Sequence, residues 1–97
     1  MLTFIARMKA KEGKEEAFIR LAKQLTEKVL ANEPGVTAYQ FYRLRDEERG
    51  FGVIEAFVDD AAEELHRDTP HFRELAPPLL ECLDGTYVRE YLDPLEQ

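Results

Sequence analysis

The sequence predicts an α+β fold in which helices cover one face of a four-stranded antiparallel sheet. Three observations support this prediction. An apolar strand precedes a long amphipathic helix, a short charged loop joins the next two strands, and a last strand follows a second helical region. The order strand, helix, strand, strand, helix, strand is the split βαβ pattern of ferredoxin-like folds. A chain of 97 residues has the size of one domain, so we expect a single domain over 1–97 with an exposed tail at 93–97.

The first strand and the first helix are the clearest elements. Residues 2–10 alternate apolar and polar side chains, which predicts a half-buried strand, and Gly13 marks the turn after it. Residues 14–32 place apolar side chains on one helical stripe, made of Phe18, Leu21, Ala22, Leu25 and Val29. Pro34-Gly35 ends this helix and turns the chain.

The remaining strands follow from residue type and spacing. Residues 36–45 and 51–58 are rich in β-branched and aromatic side chains. Only the charged loop 46–50 separates them, so the two strands are expected to pair antiparallel. Gly85 ends the second helical region, and residues 86–92 form the predicted last strand.

Capping residues define the second helical region. Asp60 is the expected N-cap of a short helix, with Glu63 completing a capping box. Thr69 is the expected N-cap of the next helix, with Pro70 at its first position. Pro77-Pro78 should kink or divide that helix because proline cannot donate a backbone hydrogen bond.

The predicted sheet is apolar on both faces. Alternation places Phe51, Val53 and Phe57 on one face of the third strand and Ile54, Ala56 and Val58 on the other. Helices cover only one face, and a second apolar face is an association surface. We therefore expect a homodimer through sheet-to-sheet packing. The alternative is a monomer whose second face is half exposed.

Composition excludes several kinds of partner. The net charge is −7, and the basic residues form no stripe, so neither nucleic acid nor an anionic membrane is an expected partner. Cys82 is the one cysteine, which favours a reducing compartment and leaves no disulfide within the chain. The first residues lack a signal-peptide core, and no apolar run approaches the ~20 residues of a membrane span. We expect a cytoplasmic protein.

Three segments resemble the antibiotic biosynthesis monooxygenase family. IARMKAKEGKEEAFIRLAKQL is similar to its first strand and helix, and ANEPGVTAYQFYRLRDEE to its Pro-Gly turn and second strand. GFGVIEAFVDDAAEELHRDTPHF resembles its most specific stretch, in which Glu and an aromatic on a strand precede an Asp-capped helix, a His and a Thr-Pro-His-Phe turn. The resemblance covers nearly the whole chain.

The resemblance implies a dimeric α+β barrel with small cavities between sheet and helices. The activities of the family are diverse, so membership fixes the fold better than the reaction. Members often carry Trp where this chain has Phe57, and the haem-degrading branch has an Asn near Ala6 and Arg7. Haem degradation is therefore disfavoured. The run EAFVDDAAEELHRDTPHF is also similar to a branch that isomerises a phosphorylated sugar.

Three residues are the candidate catalytic groups. Glu55 lies mid-strand among apolar residues, where a carboxyl group acts as a base, orients one, or forms a structural ion pair with Arg7 or Arg43. His66 shares an inward helical face with Ala62 and Leu65, and is either a base or a hydrogen-bonded core residue. His71 follows Pro70 at a helix start, where a neutral imidazole accepts a proton or merely holds the turn.

The same residues bear on two further questions, a metal site and a substrate pocket. Two histidines and a carboxylate match a metal triad in type, but the histidines are five apart with a helix start between them, so we expect no metal. No cofactor is expected. Arg43 and Tyr39 are candidates to stabilise an oxyanion. The aromatics expected to line a pocket, or to be plain core, are Phe4, Tyr39, Phe41, Phe57 and Phe72.

The favoured function is a cofactor-independent monooxygenase acting on a small phenol, quinol or enol. It needs a dry aromatic pocket, a base from His66 or His71 oriented by Glu55, and an anion stabiliser. The first alternative is an isomerase of a small phosphorylated sugar, with Arg7, Arg43 and Arg73 as candidate phosphate ligands. The second is a non-catalytic dimeric protein that binds a small molecule.

Overall fold

The computed structural model describes residues 1–95 and has the predicted order of elements. The strands are β1 (Leu2–Lys9), β2 (Val36–Arg43), β3 (Gly50–Phe57) and β4 (Arg89–Tyr91); the helices are α1 (Glu15–Asn32), α2 (Asp60–Arg67) and α3 (Pro70–Glu81). The predicted fold class is thereby confirmed. Residues 93–95 of the predicted tail are exposed, and residues 96 and 97 lie outside the described range.

The four strands form one antiparallel sheet in the order β2-β3-β1-β4. The long strands β1 and β3 therefore occupy the centre, and their pairing runs from Leu2 opposite Phe57 to Lys9 opposite Gly50. Because side chains alternate along a strand, one set from each strand faces the helices. In β1 and β3 that set is buried and consists of Phe4, Ala6, Met8, Phe51, Val53, Glu55 and Phe57.

Helix α1 supplies the centre of the core. Its predicted apolar stripe is buried in full, as expected for an amphipathic helix against a sheet. Phe18 from this stripe packs on Phe51 of β3 with ring centroids 4.5 Å apart. Helix α3 adds Ala76 and Leu79 beside α1, and Cys82 at its C-terminal end is a buried core residue.

The last strand is shorter than predicted, with three residues in place of 86–92. The chain first meets β1 at an isolated bridge between Leu83 and Ala10, and it pairs again only where Arg89 lies opposite Ala6. From Leu83 to Arg89 the C-terminal segment advances six residues, whereas the segment that it faces advances only four, from Ala10 to Ala6. The extra residues cannot stay in register, so residues 84–88 leave the sheet as an exposed arm.

Two predictions about the helices are wrong. The N-cap of α2 is Asp59, whose extended backbone lets its carboxylate accept from the Ala62 amide at 2.8 Å; Asp60 is already helical. Glu63 therefore completes no capping box. For α3, only the division is wrong: the helix runs through Pro77-Pro78 as one segment, although the two prolines remove two backbone donors from it, and the kink stays a prediction. Thr69 is the N-cap of α3 as predicted, accepting from the Phe72 amide at 3.2 Å.

The sheet face turned away from the helices is hereafter called the outer face. Ile5 of β1 and Ile54 of β3 lie opposite each other at its centre, and both are half-buried within a single chain. Around them Tyr42, Val58 and Leu92 are 46–50% exposed. Arg7 and Glu90 form an ion pair on the same face. The outer face thus has an apolar centre that the helices of its own chain do not cover.

Candidate active site

Glu55 lies in an aromatic row that crosses the sheet on its helix-facing side. Its cross-strand neighbours are Tyr39 of β2 and Phe4 of β1, and only 11% of its side chain is exposed. Burial raises the pKa of Glu55 to about 8, with Glu63 and Glu33 adding to the rise and Arg89 opposing it. At neutral pH the carboxyl group is therefore mostly protonated and can donate a hydrogen bond.

His66 lies above this row, packed among three aromatic rings. Its ring centroid is 5.3 Å from Tyr39, 5.5 Å from Phe57 and 4.9 Å from Phe72. The imidazole is 2% exposed, and its Nε2 atom lies 3.9 Å from Glu55 Oε1. Burial lowers the pKa of His66, although its hydrogen bond to Glu33 opposes the effect. The ring is thus neutral at neutral pH and can accept a proton.

Glu33 bridges the two histidines from the end of α1. Its carboxylate oxygens lie 2.9 and 3.1 Å from Nδ1 of His66, and Oε2 lies 2.5 Å from Nε2 of His71. A carboxylate only accepts hydrogen bonds, so each of these ring nitrogens carries the proton and donates. For neutral His66 this leaves the lone pair on Nε2, the atom nearest Glu55.

The Pro-Gly turn brings Glu33 to His66. A Cβ on Gly35 would lie 2.7 Å from the Cβ of Ala62, so only glycine allows the turn to approach α2 this closely. Ala62 and His66 are four residues apart and share one face of α2. Gly35 rests on Ala62, and Glu33 lies two residues before Gly35. The turn therefore holds Glu33 against the imidazole of His66, which lies one helical turn after Ala62.

A cavity of about 60 Å³ lies between this cluster and helices α1 and α3. Most of its wall is apolar, and its polar side chains are Tyr39, Glu55, His66, Tyr87 and Arg89. Leu80 and Tyr87 are 43% and 37% exposed, which places the opening between α3 and the C-terminal arm. Near the opening the Arg89 guanidinium lies 4.2 Å from the ring centroid of Phe4 and 3.4 Å from Glu63.

The structure brings most of the predicted site residues together. Six of them line the cavity: Phe4, Tyr39, Phe41, Glu55, His66 and Phe72. Phe57 is fully buried behind this wall, between His66 and Phe4. His71 does not line the cavity, and it is linked to His66 on the cavity wall through their shared partner Glu33. Leu65, expected on the inward face with His66, is 66% exposed.

Arg43 lies away from the cavity that it was expected to serve. It projects from the far end of β2, pairs with Glu15 of α1 at 3.3 Å and stacks over the ring of Phe51. Tyr39, Phe41 and Arg43 share one face of β2. Arg43 lies two residues further along the strand than Phe41, and it therefore lies beyond the cavity that Tyr39 and Phe41 line. Arg7 pairs with Glu90 on the outer face, so neither arginine forms the ion pair with Glu55 that was considered.

Sequence reasoning missed Glu33 and Arg89. An acidic side chain at the C-cap of a helix opposes the helix dipole, and such a local conflict marks a residue held for another purpose. Arg89 has a weaker signal: alternation along 86–92 places it between Tyr87 and Tyr91 on one strand face. Glu63, taken for a capping residue, instead accepts from Arg67 at 2.9 Å and from Arg89.

Within residues 1–95 there is neither a metal-binding cluster nor a membrane-spanning helix. No set of three or more His, Cys, Asp or Glu side chains in this range is arranged to hold a metal ion. None of the helices formed by these residues combines the length and the apolar character needed to cross a membrane.

Comparison with known proteins shows the family to which the chain belongs. The sequence model of the antibiotic biosynthesis monooxygenase family matches residues 1–77, which include Glu33, Glu55, His66 and His71. The chain belongs to this family. It is 33% identical over 73 residues to the proposed monooxygenase YcnE of Bacillus subtilis, covering 75% of this chain and 76% of that protein.

The chain is also similar to other proteins in sequence or in structure. An uncharacterized protein of Synechocystis is 36% identical over 76 residues, which is 75% of this chain, and the match spans about half (51%) of that protein. The crystal structure of a proposed antibiotic biosynthesis monooxygenase from Caulobacter crescentus superposes with a TM-score of 0.91 at 32% identity, covering 98% of this chain and 90% of that one. PA3566 from Pseudomonas aeruginosa gives 0.84 at 32% identity, covering 98% and 94%.

Proposed function

We propose that this protein is a cofactor-independent monooxygenase that oxidises a small phenol, quinol or enol with O₂, using His66 as the base. The observation that carries the proposal is the Glu33–His66 hydrogen bond. It fixes the proton on Nδ1 and leaves Nε2 unprotonated at the cavity wall, beside Glu55. A buried, neutral imidazole held by a carboxylate is suited to accept a proton from a substrate hydroxyl.

The proposed reaction uses electrons from the substrate alone. His66 Nε2 takes the hydroxyl proton of a phenol, and the phenolate delivers electrons to O₂ as a carbon–oxygen bond forms at the para position. The O–O bond then breaks: one oxygen stays as the second carbonyl of a quinone, and the other leaves as water with two hydrogens from the substrate. Phenol plus O₂ thus gives quinone plus water, so the atoms balance without another reductant.

Three further groups support the developing anion. Glu55, protonated at neutral pH, donates a hydrogen bond to the phenolate oxygen, and Arg89 supplies positive charge at the opening. Glu55 therefore stabilises the anion, while Glu33 takes the orienting role that was first expected of Glu55. Burial raises the pKa of Tyr39 far above its ordinary value, so its hydroxyl stays protonated and is a third donor.

The isomerase alternative has less support. A phosphorylated substrate needs several cationic ligands, and Arg89 is the one cation on the cavity wall within residues 1–95. The three arginines considered for this role form ion pairs elsewhere: Arg7 with Glu90, Arg43 with Glu15 and Arg73 with Asp68. A non-catalytic binding protein stays as the outcome if no turnover is found.

We also propose that the protein is a homodimer packed through its outer face. The apolar centre of that face around Ile5 and Ile54 supports this arrangement, because a chain of this size gains stability by covering such a patch. Leu92 extends the patch onto the C-terminal segment.

Oxygen consumption with a panel of small phenols and quinols tests the catalytic proposal. We expect turnover only in air, with one atom from ¹⁸O₂ in the product, and a fall in kcat of at least about 100-fold in His66→Gln. The kcat/KM profile should be bell-shaped. Its acid limb lies below pH 6.5, where His66 becomes protonated, and its basic limb lies near pH 8, where Glu55 loses its proton.

The matched control is His71→Gln, which loses a contact of Glu33 but no group on the cavity wall. It should retain most of the activity. Undiminished turnover in His66→Gln would remove the proposed base, and failure of the whole panel in air would favour the non-catalytic alternative.

A further inference from the structure

A second concave site lies on the opposite side of Phe41 from the cavity. It is an open groove of about 690 Å³ between α1 and the edge strand β2. This volume is in the range of small-molecule sites, whereas the cavity of about 60 Å³ holds little more than a few waters. The following residues line the groove: Phe18, Ile19, Ala22, Lys23, Thr26, Glu27, Gln40, Phe41, Tyr42, Arg43 and Phe51.

The floor of the groove is aromatic. Phe18 meets Phe41 edge to face with centroids 5.9 Å apart, and it packs on Phe51 at 4.5 Å. Ile19 and Ala22 of α1 continue the apolar surface. Phe18, Phe51 and Ala22 are themselves buried, so the half-buried Phe41 and Ile19 offer the apolar surface to a ligand. A flat aromatic ring is favoured there because ring-on-ring contact with Phe41 adds to the burial of apolar area.

The rim of the groove carries more positive than negative charge. Lys23 and Arg43 line it on opposite sides, on α1 and β2, and Glu27 is the one carboxylate on the lining within residues 1–95. The Arg43 guanidinium is held 5.0 Å from the Phe51 ring centroid, and its side chain is 55% exposed. Its contact with Glu15, at 3.3 Å, is solvent-exposed and readily exchanged for a ligand anion. The whole chain has a net charge of −7, so a surface on which basic side chains outnumber acidic ones is uncommon in it and favours an anion.

We propose that the groove between α1 and β2 is a binding site for an aromatic anion, with the ring on Phe41 and Ile19 and the acidic group on Arg43. Arg43, excluded from the cavity, thus has a ligand role at a different site. Binding as such is independent of catalysis.

Phe41 connects the groove to the proposed chemistry. This half-buried side chain lines both the groove and the cavity, so a ring in the groove is separated from the cavity by one side chain. As a substrate subsite, which rests on the proposed function, the groove would hold the non-reacting end of a substrate too large for the cavity. Rotation of Phe41 would join the two spaces.

Fluorescence titration of the full chain with two related dyes tests the binding site. The aromatic anion is 1-anilinonaphthalene-8-sulfonate, and its neutral counterpart is N-phenyl-1-naphthylamine. Arg43→Gln should weaken binding of the sulfonate about fivefold, as expected for a half-exposed charge pair, and leave the neutral dye unchanged. Ile19→Gln should weaken both dyes because it removes apolar surface from the groove.

Arg7→Gln is the matched control. Arg7 is 54% exposed, almost the same as Arg43, but it lies on the outer face. It should change the binding of neither dye, and His66→Gln should likewise change neither, whatever its effect on turnover. Equal weakening by Arg7→Gln, an Arg43→Gln variant that binds the sulfonate normally, or no binding of either dye would overturn the proposal.

Discussion

At the scale of single residues, the site depends on two carboxyl groups that are given opposite properties. Glu33 accepts hydrogen bonds from two imidazoles and fixes the proton of His66 on Nδ1. Glu55 lies among aromatic rings, where burial keeps it protonated. One carboxylate thus orients the candidate base, and one carboxylic acid faces the place where negative charge would develop.

Replacing Glu33 by glutamine should lower the pKa of His66 further. The carboxylate favours the imidazolium form through its charge and its hydrogen bond, so its removal leaves desolvation opposed only by the more distant charge of Glu63. We expect a lower His66 pKa, which NMR titration of the imidazole C–H signals measures. Glu27→Gln, an exposed change on the same helix, should leave the titration as in the wild type. An unaltered His66 titration in Glu33→Gln would contradict the assigned role.

Glu55 should make the protein less stable as pH rises. Its pKa is about 8 in the folded chain and about 4.5 in the unfolded chain. Below pH 4.5 both states are protonated. Between pH 4.5 and 8 only the unfolded state ionises, so the free energy of unfolding decreases by at most about 5 kcal/mol.

The variant Glu55→Gln cannot ionise and should escape this loss. Urea denaturation at pH 5, 7 and 9 should show its free energy of unfolding rising relative to the wild type as pH increases. The exposed change Glu64→Gln is the control, for which a constant difference is expected. A difference for Glu55→Gln that does not vary with pH would show that the carboxyl group ionises normally.

At the scale of elements, the ends of helices position the site. Asp59 caps α2, the helix that carries His66, and Thr69 caps α3, the helix that carries His71 and Phe72. The end of α1 carries Glu33, and the close approach of Gly35 to Ala62 fixes that end against α2. The site is therefore assembled from three helix ends over one row of the sheet.

The two adjacent acids at the start of α2 should differ in their effect on stability. Asp59→Ala removes the side-chain cap of the helix and should lower the free energy of unfolding by about 1 kcal/mol. Asp60→Ala removes only a favourable charge in the first turn and should lower it by about 0.3–0.5 kcal/mol. Chemical denaturation measures both. Equal losses, or a larger loss for Asp60→Ala, would contradict the assignment of Asp59 as the N-cap.

At the scale of the whole molecule, the two faces of the sheet have different partners. The helices cover one face and enclose the cavity, while the apolar centre of the outer face is left for a second copy in the proposed dimer. The groove opens beside β2, at the edge of the sheet. Site, groove and association surface thus occupy different parts of one small sheet.

A charge at the centre of the outer face should break the proposed dimer. In light scattering after size exclusion, the wild type should have twice the chain mass of 11.3 kDa at micromolar concentration. Ile54→Lys should have the mass of one chain, since a buried lysine without a partner is costly. Leu65→Lys changes an exposed residue on α2 and should stay dimeric. A wild type of single-chain mass would refute the proposed arrangement.

The order of elements, the buried stripe of α1, the inward direction of His66 and the face that Glu55 shares with Val53 and Phe57 can be read from the sequence. These follow from periodicity and residue type, which act over short distances along the chain. The tertiary structure alone decided which groups meet. Glu33 and His66 are 33 residues apart, and their contact depends on a glycine that lets a turn approach a helix. Arg89 takes the place at the cavity that was expected of Arg43, because strand register, which residue type does not encode, sets how far along the sheet each side chain lies.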